Sequence, residues 1–134
     1  MRTTYSRLFT DDTGESRIAD FEVELAPGFA VPPAEPLHTA PFLVAENTFW
    51  IGAPVNWKGG ARHPAPRRAI FVTVRGEFQV TTSDGTIRRF PVGSVLIVED
   101  TTGHGHSTVI TSSEDCYAFC VGLPPETAED VAAR

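Results

Sequence analysis

Long apolar runs are missing from this sequence. No stretch of its 134 residues approaches the ~20 consecutive apolar positions of a membrane-spanning helix, so no membrane partner is expected. The opening segment, MRTTYSRLFTDDTGES, holds no apolar signal core, which makes the cytoplasm the expected compartment. Positive charge is scarce as well. Against 17 Asp and Glu stand only 11 Lys and Arg, a formal net charge of -6 and the wrong sign for a nucleic-acid surface. Cysteine is limited to Cys116 and Cys120 in CYAFC. On an extended chain these two share a face about 13 Å apart, too far for a disulfide, and are expected as buried thiols. There is no Gly-rich phosphate loop ahead of a helix, no Cys-x-x-Cys, no Gly-x-Ser-x-Gly and no His-Glu-x-x-His. Nucleotide-dependent and nucleophilic chemistry are therefore disfavoured. Helical pattern is confined to PETAEDVAA, residues 125–133, where a first-turn proline precedes acidic residues suited to a helix N-terminus.

What is present is a single domain over residues 1–134, 41% apolar, with strand-like alternation through most of its length. The organising stretch is residues 69–109, in which apolar runs alternate with Gly, Asp-Gly and Pro-x-Gly breaks. It predicts strands at 69–75, 77–82, 86–90, 94–98 and 106–110, followed by 115–121. The run at 94–98 is apolar almost throughout and predicts a strand covered on both faces. Earlier, residues 18–25 (IADFEVEL) alternate as a half-buried strand with one acidic face, and 42–51 (FLVAENTFWI) resume strand character. Between them, Pro27, Pro32, Pro33, Pro36 and Pro41 exclude a regular ladder. That segment is expected as a strap over the barrel, burying Phe29, Val31, Leu37 and Phe42. The barrel core is expected over 42–122, with a strand and the proline-rich strap over 1–41 and a tail over 123–134.

The sequence RGEFQV, then SDGTIRRFPVGSVLIVED, then GHGHSTVI resembles the core of a small single-domain cupin. The Gly76-Glu77 and Pro91-Val92-Gly93 turns carry the resemblance. It implies an all-β, cupin-type jelly-roll barrel (double-stranded β-helix), with the short C-terminal helix added, and a ligand pocket at one mouth. Metal-binding cupins supply His-x-His, then Glu, then a further His. Counting back from Gly76 sets His63, Ala65 and Ala69 at the first three positions, while His104 or His106 falls at the last. The resemblance thus implies a depleted ligand set: His63, His104 and His106 remain as three imidazoles for a divalent transition metal, with Fe, Mn, Ni, Cu and Zn all open. Small cupins being often dimers, it also implies a homodimer, formed by residues 18–25 or by the strap on a partner's sheet edge.

Without a metal, His106 and His63 are candidates for acid–base catalysis, since imidazole titrates near neutrality. Trp50, Trp57, Phe71 and Tyr117 are candidate walls for a small organic ligand, and Arg68 a candidate grip for a carboxylate or phosphate. Neighbouring strand residues face opposite ways, so at most one of Arg67 and Arg68 points inward. Glu99 and Asp100 are either turn-capping carboxylates or partners that orient His106. Two functions follow: a small enzyme (isomerase, cyclase, lyase or oxygenase), or a ligand-binding or sensor barrel without turnover.

Overall fold

A strand apolar at every position needs cover on both sides, and Val95–Val98 has it. In this computed structural model, which describes residues 1–132, the strands are β1 (Arg2–Thr10), β2 (Ser16–Glu24), β3 (Ala26–Phe29), β4 (Leu37–Thr39), β5 (Asn47–Ala53), β6 (Ala69–Arg75), β7 (Phe78–Thr82), β8 (Ile87–Phe90), β9 (Val95–Val98), β10 (His106–Ile110) and β11 (Cys116–Gly122), followed by helix α1 (Ala128–Ala132). Strand β9 lies inside a six-stranded sheet of order β2-β1-β9-β6-β11-β5, and a three-stranded sheet, β10-β7-β8, faces it. Leu96 and Val98 point between the two sheets, into a core shared with Leu8, Phe78, Val80 and Phe90. Ile97 points the other way, against Ile70 and Leu123, with Leu43 and Tyr5 closing that outer layer.

Strand β1 was not foreseen from sequence. It runs antiparallel to β2 over its whole length and parallel to β9, with Ser6 opposite Leu96 and Leu8 opposite Val98. Leu8 is fully buried, so the barrel core reaches back to the first ten residues instead of starting at 42. The strap is corrected too. Residues 26–39 form a separate two-stranded β3-β4 hairpin, and Phe29, Val31 and Leu37 are each more than half exposed. Only the segment after it crosses the sheet, with Leu43 in the outer layer and Phe42 edge-on to Tyr5 at 4.8 Å. The prolines explain the difference: they limit β3 and β4 to four and three residues, with no ladder to any other strand.

Helix α1 starts three residues later than the proline suggested, because Thr127 caps it. The Asp130 N–H donates to Thr127 Oγ1 (3.1 Å), and the Thr127 N–H donates to Asp130 Oδ2 (2.9 Å). Ala133 and Arg134, the end of the expected tail, lie outside the described residues. Cys116 and Cys120 are buried free thiols, as expected. No helix among the described residues is long and apolar enough to cross a membrane.

Two glycines with positive φ do different work. Gly85, φ 89°, turns the β7–β8 hairpin in open space, whereas Gly105, φ 73°, is pressed against the backbone of His63 and Pro64. Gly85→Ala should therefore cost only about 1 kcal/mol, the conformational penalty alone. For Gly105→Ala the added methyl meets main chain that cannot swing aside, and a loss of about 3 kcal/mol or more is expected. Equilibrium denaturation of both variants measures the contrast; equal losses would show that the close approach at Gly105 is slack.

Candidate active site

The site begins where β9 ends. Glu99 and Asp100 are consecutive, and their side chains leave on opposite faces. Glu99 turns outward and is gripped by two buried arginines: Arg7 Nε donates to Oε1 at 2.5 Å and Arg68 Nε to Oε2 at 2.9 Å. Asp100, fully buried, turns inward and lies 2.5 Å from Nδ1 of His106, itself 9% exposed. The Ala65 N–H donates to the Asp100 carbonyl (2.9 Å), and the Glu99 N–H to that of Leu8 (2.8 Å), fixing this backbone on both sides. Burial pushes the Asp100 carboxyl above its ordinary value, opposed by the hydrogen bond from His106 and by the charges of His106 and His63. Its Oδ1 is buried with no hydrogen-bond partner.

The loop after Asp100 decides which histidine enters the barrel. The His104 N–H donates to the Gly14 carbonyl (2.9 Å), and its ring faces Glu15 at 3.9 Å on the outside. Gly105 then lets the chain pass tightly under His63, and His106 opens β10 with its ring inward. Residues 63 and 106 form an antiparallel bridge with N–H to carbonyl bonds of 3.0 and 3.1 Å, and their rings stand 5.9 Å apart. His63 Nδ1 lies 2.9 Å from the Pro64 carbonyl. A carboxylate and a carbonyl accept, so each Nδ1 carries a hydrogen, and in the neutral ring each Nε2 is then an acceptor.

Between the sheets is a cavity of about 370 Å³. Its walls are almost wholly apolar, with Trp57 and His63 among the exposed residues and Phe71, Phe78, Val80 and Ile110 deeper; its polar side-chain groups are those of His63, His106 and Thr108, the Cys116 thiol and the Trp57 indole N–H. Of the sequence candidates, His63, His106, Trp57 and Phe71 are brought together here. Trp50 and Tyr117 are not. They belong to the outward phase of β5 and β11: Trp50 is 66% exposed and edge-on to Phe119, and Tyr117 lies beneath Arg75 while Cys116 and Ala118 face inward. Arg68 is likewise turned away, bound to Glu99 and, through Nη1, to the Pro124 carbonyl at 3.1 Å. Sequence reasoning missed the Arg7–Glu99–Arg68 cluster. Its signal was a glutamate directly after a buried apolar run, which needs a buried cation.

With His104 outside, the three-imidazole set is not assembled. Ala65 lines the cavity and Ala69 is buried where the resemblance has metal ligands, and among the described residues no group of three His, Cys, Asp or Glu side chains is placed to hold an ion. The residues present do not fit a transition-metal site of about three protein ligands, and no step below is routed through one.

No protein-family model matches the chain, and a search of curated proteins finds no match. Solved structures do match. A cupin 2 conserved barrel domain protein from Salinispora arenicola aligns at 21% identity and a TM-score of 0.46, over 64% of this chain and 66% of that one, so this chain spans just under two thirds of its length. The Cnp3 cupin domain of Schizosaccharomyces pombe aligns at 14% identity and a TM-score of 0.50, over 98% of this chain and 88% of that one. The second likeness shows the fold. This is an all-β cupin barrel, a double-stranded β-helix with a short C-terminal helix.

Asp100 supplies a pH test. Its carboxyl binds a proton more tightly folded than unfolded, so its contribution to stability falls as pH rises above the unfolded value of about 4. Asp100→Asn keeps an acceptor for Nδ1–H and removes that cost. The difference in urea midpoint between the variant and the parent should therefore move in the variant's favour as pH rises from 4 to 8. Movement in the opposite sense would show a carboxylate stabilised by its site.

Proposed function

We propose that this chain binds a small organic molecule in the barrel cavity and acts on it by proton transfer through His106, with Asp100 as the group that orients it. One observation carries the reading. An imidazole held at Nδ1 by a buried carboxylate stands in the wall of an apolar cavity, and in its neutral form it offers Nε2 as a base. Nε2 takes a proton from an acidic position of the ligand, whose electron pair remains as an enolate-type anion. The imidazolium so formed faces the Asp100 carboxylate at 2.5 Å, in a site where opposite charges interact strongly. Returning the proton to a second ligand atom is isomerisation. Delivering it to a departing group is lyase chemistry, and attack of the anion on a carbonyl of the same ligand closes a ring.

The cavity itself supports ligand binding. Protein interiors leave few voids larger than a water molecule, and about 370 Å³ lined by apolar side chains forgoes packing that a ligand would restore. A barrel that binds without turnover is the second reading, favoured by how few polar side chains the wall carries.

For assembly we propose a homodimer. Two copies carrying a formal charge of -6 each approach most easily along an uncharged edge. Strand β5 ends the large sheet, has no charged residue, and exposes Trp50. Strand β2, at the other end, carries Asp20, Glu22 and Glu24. Light scattering at micromolar concentration should give twice the chain mass, and Thr48→Lys with Trp50→Lys should return it to one; a monomer mass for the parent overturns the pairing.

A fluorescence and thermal-shift screen of small ring compounds tests the functional reading. A ligand at a hundred times its Kd stabilises the fold by about 2.7 kcal/mol, an effect that Ala118→Phe, filling the cavity, should abolish. His106→Ala should lower turnover at least ~100-fold and, by leaving the buried Asp100 carboxyl without its partner, cost about 1–3 kcal/mol of stability. A large loss of stability with binding and turnover intact would make His106 structural.

A further inference from the structure

We infer that the ligand is a neutral, ring-sized, largely apolar molecule that presents a weakly acidic hydroxyl, a phenol or enol, to the two imidazoles. The inference rests on the reading of the cavity as the binding site and goes further in naming the ligand's class. Size sets the first limit. About 370 Å³ lies at the small end of ligand pockets, room for one ring or a fused pair and too little for a nucleotide or a peptide.

Charge sets the second. Among the described residues no Asp, Glu, Lys or Arg lines the cavity. The nearby cations Arg7 and Arg68 are spent on Glu99 on the far face of the sheet, and Asp100 is wholly buried behind His106. A carboxylate, phosphate or ammonium entering this space would lose its water without gaining a counter-ion. The Asp100 charge behind the imidazole opposes an anion further.

Hydrogen bonding sets the third and most selective limit. Both Nδ1 atoms are committed as donors, His106 to the Asp100 carboxylate and His63 to the Pro64 carbonyl, so in their neutral form the two imidazoles offer the ligand acceptors. Thr108 brings a hydroxyl that can give or take. A ligand that only accepts, such as an ether, leaves both Nε2 atoms unpaired, while one that donates O–H satisfies one of them. Weak acidity follows from the base. A phenol or enol, near the ~10 of tyrosine, lies within reach of a histidine, and an alkyl alcohol does not.

Three probes of one shape separate these limits: 2-naphthol, 2-methoxynaphthalene and 2-naphthoate, titrated calorimetrically at pH 7. Binding is located by the ¹³C-methyl shifts of Ala53, Ala65 and Ala118, which line the cavity. Naphthol should bind about tenfold tighter than its methyl ether, with naphthoate weaker than both. His106→Ala and His63→Ala should together erase that preference, leaving the ether's affinity within about twofold; each variant's melt reports that it is folded. Naphthoate binding as tightly as naphthol, a preference unchanged in both variants, or no binding of any probe at millimolar concentration overturns the ligand class. Where the alanine methyls shift with an ether or anion that binds best, the class fails and the cavity reading stands. Probes that bind without moving those methyls sink both.

Discussion

The turn of the chain at the end of β9 is the constraint on which the rest depends. Glu99 and Asp100 are adjacent and opposed, one carboxylate on each side of the sheet. The outer one is held by two guanidiniums, both nearly buried. Such a cluster is weak evidence for net stability, because desolvating three charges offsets most of their attraction. Its effect is positional. With Glu99 tied to β1 through Arg7 and to the start of β6 through Arg68, residue 100 has one place to be, and its carboxylate meets His106. Two strands distant in sequence thereby set the tautomer of one imidazole.

The interior is divided between two demands. On the outer side of the six-stranded sheet, Ile70, Ile97 and Leu123 pack into a closed layer. On the inner side, Leu8, Leu96, Val80 and Phe78 belong to the buried core and also line the cavity. The same side chains thus give the barrel its burial and give the site its low dielectric, which makes a buried carboxylate costly when ionised and effective when it meets an imidazolium. Filling the cavity with larger side chains would serve the first demand and end the second.

Much of the barrel was legible because turn chemistry and alternation agree there. Residues 69–75 and 106–110 coincide with β6 and β10, and the nearly all-apolar run at 94–98 did require cover on both faces. Strand β1 was hidden because RTTYSRLFT lacks a clean alternation; Arg7 is buried as an ion-pair partner, which no periodicity count anticipates. The proline-rich segment misled through its apolar residues, which stay exposed on a hairpin that pairs with no other strand among the described residues. Within the site, the aromatics sorted by phase. Phe71 fell on the inner side of its strand, while Trp50 and Tyr117 fell on the outer side of theirs, and sequence alone does not say which phase is inside. His104 and His106 were not separable either, since the choice rests on the Gly105 approach to His63 and on the Gly14 carbonyl that holds residue 104.

The substitutions at 65 and 69 then acquire a physical meaning. An imidazole at 65 would stand in the cavity wall, where Ala65 now leaves a methyl, and a carboxylate at 69 would need a partner in a buried position that Ala69 fills at no electrostatic cost. With both gone, the two inward histidines have no third donor to join. Each has instead taken an acceptor at Nδ1, the Asp100 carboxylate for His106 and the Pro64 carbonyl for His63. An imidazole tied in this way has its free lone pair at Nε2, and that atom can take a proton as readily as it can hold an ion.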